Sequence, residues 1–208
     1  MVRGISKVLS YIWFDLLRIR RRVAEENVKR VFGEKLGPSA SQKMLRRSFQ
    51  MAILYVFELL RTPYRGKAAV QERVTIVNRH HITDALSQGR GCILLTAHIG
   101  CMDLAGMAVA FSGLPVVIVV RKVSWALADL WLTKVRQWGE LTRLPDSKVG
   151  FGVVRALKKN QCVVLVCDQH MTPKHGIPTL FFDQPASTTP APARLALLNQ
   201  TPIVPMLC

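Results

Sequence analysis

Two residues with complementary acid–base chemistry lie five positions apart in GCILLTAHIGCMDLAG, residues 91–106. His98 follows an apolar run of strand length, and Gly100 permits a tight turn. Asp103 then falls in the first turn of the next predicted helix. A carboxylate folded back onto one imidazole nitrogen would fix the tautomer and leave the other nitrogen as a general base. The helix dipole also favours an acid at that position, so capping explains Asp103 equally well. The nucleophile-elbow pattern GxSxG is absent. Cys101 is the nearby alternative nucleophile, but its neighbours give no reason for a lowered thiol pKa. A histidine–aspartate pair without its own nucleophile suits direct transfer, in which the base activates a hydroxyl of the substrate.

The same pattern recurs along the chain. CILLTA (92–97) is followed by His98, VVIVV (116–120) by Arg121, and CVVLVC (162–167) by Asp168. Runs that are apolar on both faces predict buried parallel strands. In an open α/β sheet, ligands bind outside the carboxyl ends of the strands. All three polar residues therefore converge on one edge. Arg121 is suited to holding a phosphate or stabilising a developing oxyanion.

Helices over Met102–Phe111, Ser124–Trp138, Lys148–Lys159 and Ala191–Asn199 are predicted between or after these runs, and PIVPML reads as a final strand. Strand alternating with helix predicts an α/β fold with a mostly parallel sheet flanked by helices. Residues 1–62 read as helical, with FGEKLGPSA as a turn between two helices. TPYRGKAAVQERVTIV is expected to be a connection ending in a short strand, Val74–Val77. Two regions follow: an N-terminal helical, membrane-associating segment over 1–62 and an α/β domain over 63–208. The chain stops at an apparent strand, which leads us to expect a truncated domain.

The apolar stretch Val8–Leu17 is interrupted by Asp15 and is too short to span a bilayer. No small-residue cleavage site follows it, and RIRRR lies on the wrong side for a signal peptide. A basic amphipathic helix lying on a membrane is the better reading. The net charge of +16 over 208 residues implies an anionic partner. Nucleic acid is set aside because no recognition motif accompanies the charge. The five cysteines include no CxxC pair and mostly flank apolar runs, so neither a metal site nor structural disulfides are expected.

Other residues have plainer readings. His80 and His81 open a predicted helix as solvated or capping groups. His170 and His175 lie in the loop after Asp168, close enough to the proposed site for a phosphate contact. Trp125, Trp131 and Trp138 share a related helix face and are expected to pack in the core, with membrane or acyl-chain contact as the alternative. The helix beginning near Pro192 could present its N-terminus to an anion beside Arg194.

HIGCMD is an H-x4-D block of the kind found in glycerolipid acyltransferases. Its context resembles the lipid A biosynthesis acyltransferase family over nearly the whole chain. VAEENVKRVFG is similar to that family's early ARxNLxxxFP helix, and ALSQGRGCILLTAHIGCMDLAG to its ALxxGRGVILLTAHFGNWEL block. VVRK resembles its YRP strand end. LVCDQH…GIPTLFFDQPASTTPAPARLALLNQTPIVP resembles LLPDQ…GVFVPFFGRPAxTPTGPARLALxTGAPVVP. The resemblance implies transfer of a fatty acyl chain from acyl-carrier protein to a hydroxyl of a phosphorylated membrane glycolipid such as a lipid A precursor. It implies no cofactor and a location at the cytoplasmic face of the inner membrane. It makes His98 the general base and Asp103 its orienting acid. Arg121, Asp168, Gln169 and Arg194 become active-site or substrate-contacting positions. Where this branch more often has glutamate, the chain has Asp103, and the family's C-terminal third is missing. An inactive fragment that binds membrane or carrier protein is the alternative.

Overall fold

The structure is a computed structural model that describes residues 2–144 and 149–208. It divides into two compact units, residues 1–60 with 178–186, and residues 61–177 with 187–208.

The first unit contains α1 (Val2–Tyr11), a π-turn (Ile12–Leu16), α2 (Arg21–Phe32), a 3₁₀ turn (Gly33–Lys35) and the first part of α3 (Pro38–Arg73). Phe14, Leu45 and Phe49 form its core, with Trp13 and Phe14 meeting the Phe49 ring edge-on at 5.2 and 5.1 Å. The Arg21 guanidinium lies 4.6 Å from the centre of the Phe14 ring. Asp15, the acid that interrupts the apolar stretch, accepts from Arg46 Nη2 at 2.8 Å.

The second unit is α/β. Its sheet has the order β3-β2-β4-β1-β7, and every pairing is parallel. The strands are β1 (Cys92–Thr96), β2 (Val116–Val119), β3 (Leu141–Leu144), β4 (Cys162–Val166) and β7 (Ile203–Pro205). The helices are α4 (His80–Ser87), α5 (Met102–Phe111), α6 (Ala126–Trp138), α7 (Val149–Lys158) and α8 (Ala191–Asn199). Lys148, the expected first residue of the helix that became α7, lies outside the described residues. Ile93, Val117 and Val163 pack with Val153, Ala156 and Leu157 of α7. α5 buries nearly every residue, as a helix hydrophobic all round must. This double cover is why the strand sequences show no polar alternation. Cys92 and Cys162 are part of this interior, and burial pushes their thiols up to about 11 and about 12.

Two sequence expectations are corrected. α3 does not stop near residue 62 but runs to Arg73, interrupted at Gly66 (φ 83°, ψ 168°). KAAVQER is rich in good helix formers. This turn is docked by buried Val70, by Gln71 donating to the Phe111 carbonyl at 3.2 Å, and by Lys67 bonding Glu140 at 2.9 Å. Val74–Val77 is not a strand. Asn78 adopts a left-handed φ of 56° that turns the chain directly into α4. β7 carries Pro205, which has no N–H to offer a further strand. Residues 74–78 instead line, with Val204–Cys208, Ala105 and Val109, a cavity of about 280 Å³.

Two elements escaped the sequence reading. β3 is a short edge strand, LTRL, with too few apolar residues to register as a buried run. β5 (Ile177–Phe181) and β6 (Gln184–Thr188) form a hairpin. Its two-residue turn, Phe182 and Asp183, has positive φ at both positions, and the usual glycine cue is absent.

Candidate active site

The site is built by strand register. Cys92 pairs with Cys162 and Thr96 with Val166, a constant offset of 70 residues between β1 and β4. His98 and Asp168 share that offset, so they leave neighbouring strands at the same height. Beyond the ladder the Ile99 amide donates to the Ala97 carbonyl at 2.8 Å, a three-residue turn with His98 at its apex. Gly100 follows at φ 62°, and a Cβ there would overlap the carbonyl oxygen of Cys208. Glycine is thus required twice over, by conformation and by close approach.

Asp168 grips His98 with both carboxylate oxygens. Oδ2 accepts from the His98 backbone amide at 2.8 Å, and Oδ1 lies 2.8 Å from Nδ1. Burial acts to push the Asp168 carboxyl up. The two hydrogen bonds from His98 and the imidazole's charge outweigh it and hold the group below its ordinary value. The carboxylate is therefore ionised near neutrality and accepts a hydrogen bond from Nδ1–H. In that tautomer the lone pair of the imidazole lies on Nε2. Both side chains remain partly open, 43% and 32% exposed.

Asp103, assigned by the sequence to orient His98, has a different partner. Its carboxylate receives Arg136 Nε at 2.8 Å and Nη2 at 3.4 Å, and both side chains are under 10% exposed. A buried carboxylate needs such a partner, and Arg136 from α6 supplies one to the start of α5. The bond expected between Asp103 and the imidazole is made by Asp168. Arg136 and the Asp168–His98 bond were both missed from sequence. The shared offset of the two apolar runs was the signal available for the second.

Arg121 lies just past β2, exposed, on the far side of β4 from His98. Its loop is pinned by Asp129, which accepts from the Val123 amide at 2.9 Å and from Arg143 Nη1 at 3.0 Å. These bonds, the Val123 amide foremost, hold the Asp129 carboxyl below its ordinary value. Gln169 is exposed beside Asp168. Arg194 is exposed in the first turn of α8. The C-terminal end of that helix is tied to the amino edge of β1, where Gln200 bonds Arg90 at 3.2 Å and Thr201 bonds the Arg90 carbonyl at 2.9 Å. Its first turn therefore points toward the carboxyl edge that holds His98. His170 and His175 are exposed in the loop between β4 and β5, and His80 and His81 are exposed at the start of α4. Trp125 precedes α6 as an exposed residue, while Trp138 packs edge-on against Phe111 at 5.6 Å. Among the described residues no group of three or more His, Cys, Asp or Glu side chains is placed to hold a metal ion.

The second unit is thus a parallel α/β sheet with a carboxylate-held histidine at its carboxyl edge. The chain belongs to the bacterial lipid A biosynthesis acyltransferase family, whose model matches residues 1–208. It is 24% identical over 186 residues to the phosphatidylinositol mannoside acyltransferase of Mycolicibacterium smegmatis, covering 88% of this chain and 60% of that protein. It is 24% identical over 203 residues to the lipid A biosynthesis lauroyltransferase of Escherichia coli, covering 96% and 64%. Its identity to the lipid A biosynthesis acyltransferase of Haemophilus influenzae is 21% over 167 residues, covering 79% and 52%. The chain thus spans between about half and two thirds of the length of these relatives.

Proposed function

We propose that this chain carries the base-bearing part of an acyltransferase that moves a fatty acyl chain from an acyl-carrier-protein thioester to a hydroxyl of a membrane glycolipid. The observation that carries the reading is the doubly bonded His98–Asp168 pair at the carboxyl edge of the sheet. Asp168 fixes the Nδ1–H tautomer, and Nε2 takes the proton of the acceptor hydroxyl as its oxygen attacks the thioester carbonyl carbon. The tetrahedral intermediate collapses with cleavage of the carbon–sulfur bond. The proton held on Nε2 then passes to the departing thiolate. A positioned base contributes about 10²–10⁴-fold to such a step. Arg121 and Arg194 supply positive charge for the phosphates of the acceptor or the oxyanion, and Gln169 a further polar contact. The relatives' names suggest lipid A precursors and phosphatidylinositol mannosides as acceptors to try. The reaction is placed at the cytoplasmic face of the inner membrane, where carrier protein and lipid meet.

The test is transfer of labelled acyl chains from acyl-carrier protein to detergent-dispersed glycolipids by the wild type beside His98→Ala and Asp168→Asn. Loss in both variants supports the reading. Equal transfer by wild type and His98→Ala removes the base, and no transfer by a folded wild type favours a chain that binds without turnover.

A further inference from the structure

We infer that Asp129 is a positioning residue for acyl transfer, fixing the loop after β2 so that Arg121 is held at the edge where His98 and Asp168 meet. This role rests on the functional reading, in which Arg121 receives the negative charge of the acceptor or of the oxyanion. Asp129 touches neither substrate nor reacting atoms and works through the backbone.

Strand register supplies the first half of the geometry. Val164 of β4 pairs with Ile118 of β2 on one side and with Leu94 of β1 on the other. Carried along the strands, that register sets Arg121 level with Ala97, one residue before His98. Only β4 separates β2 from β1, so the two strand exits lie about 10 Å apart at the usual spacing. One extended arginine side chain and one hydrogen bond cover such a gap. Reach alone is not enough, however. The ladder from β2 to β4 ends at Ile118 and the ladder to β3 at Val119, so Arg121 sits on backbone that no strand holds. An arginine on an untied loop loses more conformational freedom when it engages a ligand than one on a fixed loop.

Asp129 provides the tie. It stands in the first turn of α6, and its Oδ1 accepts from the Val123 amide at 2.9 Å, two residues beyond Arg121. Its Oδ2 accepts from Arg143 Nη1 of β3 at 3.0 Å. Arg143 Nη1 also donates to Thr133 Oγ1 at 2.9 Å, and Thr133 donates to the Asp129 carbonyl at 2.7 Å. One carboxylate thus joins three elements at the carboxyl edge: the loop after β2, the start of α6 and the end of β3. Asp129 and Arg143 are only 15% and 20% exposed, which shields their bond from water. The dipole of α6 favours any acid in its first turn, but a solvated acid would satisfy the dipole equally well. It explains neither the bond to the loop amide nor the bond to the strand arginine. The two arginines are also divided by this arrangement. Arg143 occupies the carboxylate, while Arg121 is exposed and bonded by no described residue. With Asp129 already paired, Arg121 is left for a ligand and is not drawn into an internal ion pair.

The experiment is a double-mutant cycle on the full chain. Transfer of labelled acyl chains from acyl-carrier protein is measured with detergent-dispersed lipid A precursor and, in parallel, phosphatidylinositol mannoside. Equilibrium binding of the same two lipids is followed by tryptophan fluorescence, to which Trp125, 67% exposed at the end of this loop, contributes, so the comparison also stands without turnover. Arg121→Ala should lower kcat/KM, or weaken binding, by about 10–100-fold. Asp129→Ala should cost about tenfold through misplacement of the loop. Arg121→Ala/Asp129→Ala should be no worse than Arg121→Ala alone, because the second change has nothing left to misplace. Asp129→Asn keeps an acceptor for the Val123 amide and should recover most of the loss. Val123→Pro removes the donor, leaves the carboxylate on Arg143, and tests the same bond if Asp129→Ala fails to fold by circular dichroism. Losses that multiply in the double variant overturn the positioning role, since they show Asp129 acting apart from Arg121. So does wild-type behaviour of Asp129→Ala, or an Arg121→Ala variant that keeps full transfer while His98→Ala loses it; in these cases the functional reading stands. If Arg121→Ala and His98→Ala both transfer like the wild type, or the wild type neither transfers to nor binds either lipid, the functional reading falls and the role of Asp129 with it.

Discussion

Two carboxylates, Asp103 and Asp168, are each held by a nitrogen-bearing side chain, in very different surroundings. Asp168 meets His98 at a partly open edge, whereas Asp103 meets Arg136 between helices with both side chains nearly sealed. At the edge the partner can change its protonation and water or substrate can enter. In the interior the partner is a permanent cation. The type of acid is the same in both places. Burial and the partner distinguish the two.

The comparison breaks most sharply at His98. Replacement by alanine should lower acyl transfer by about 10²–10⁴-fold with little change in melting temperature, read by initial rates beside a thermal melt. Asp103→Ala should do the reverse, because it removes the carboxylate that Arg136 bonds in the interior. A loss of about 3–5 kcal/mol is expected, seen as a fall of roughly 10 °C in melting temperature. If Asp103→Ala melted normally yet lost all transfer, the roles of the two acids would have to be exchanged. Gly100→Ala forces both a strained φ and an overlap with the Cys208 carbonyl, so it should destabilise by about 1–3 kcal/mol and reduce transfer through displacement of His98. Chemical denaturation measures the first effect and rate assays the second.

The smallest effect is a pH dependence. The Asp168 carboxyl is held below its ordinary value in the folded chain. The unfolded chain therefore binds the proton first as the pH falls, and the stabilisation is full above the ordinary carboxylate range, about 3.9. It is lost as the pH drops through the lower, folded value. The melting temperatures of wild type and Asp168→Asn should differ at neutral pH and converge in strong acid. A difference that grew on acidification would contradict the assignment.

The contrast also marks what the sequence could tell. Three apolar runs, each ending in a polar residue, led to the right sheet because burial on both faces leaves a plain hydrophobic signature. The partner of His98 was harder. A neighbour five residues on is visible in one line of sequence, but a neighbour seventy residues on is visible only when two strands are laid side by side. Asp103 looked available because nothing local announces Arg136, which arrives from another helix. β3 was missed since an edge strand with Thr142 and Arg143 lacks the uniform apolar run. The extension of α3 to Arg73 was missed since Pro63 and Gly66 read as a stop, whereas the helix resumes and is docked by Val70, Gln71 and Lys67.

The equal height of His98 and Asp168 on adjoining strands bears on how such a site can diverge. The distance between the two side chains is set by the ladder from Cys92–Cys162 to Thr96–Val166, and the chain that joins the strands does not enter it. Lineages can lengthen, shorten or replace the connecting helices, and the bonded pair stays in place. A single inserted residue inside either strand is a different event. It rotates everything beyond it to the opposite face of the sheet, and the His98–Asp168 bond is severed in one genetic step while the composition of the protein hardly changes.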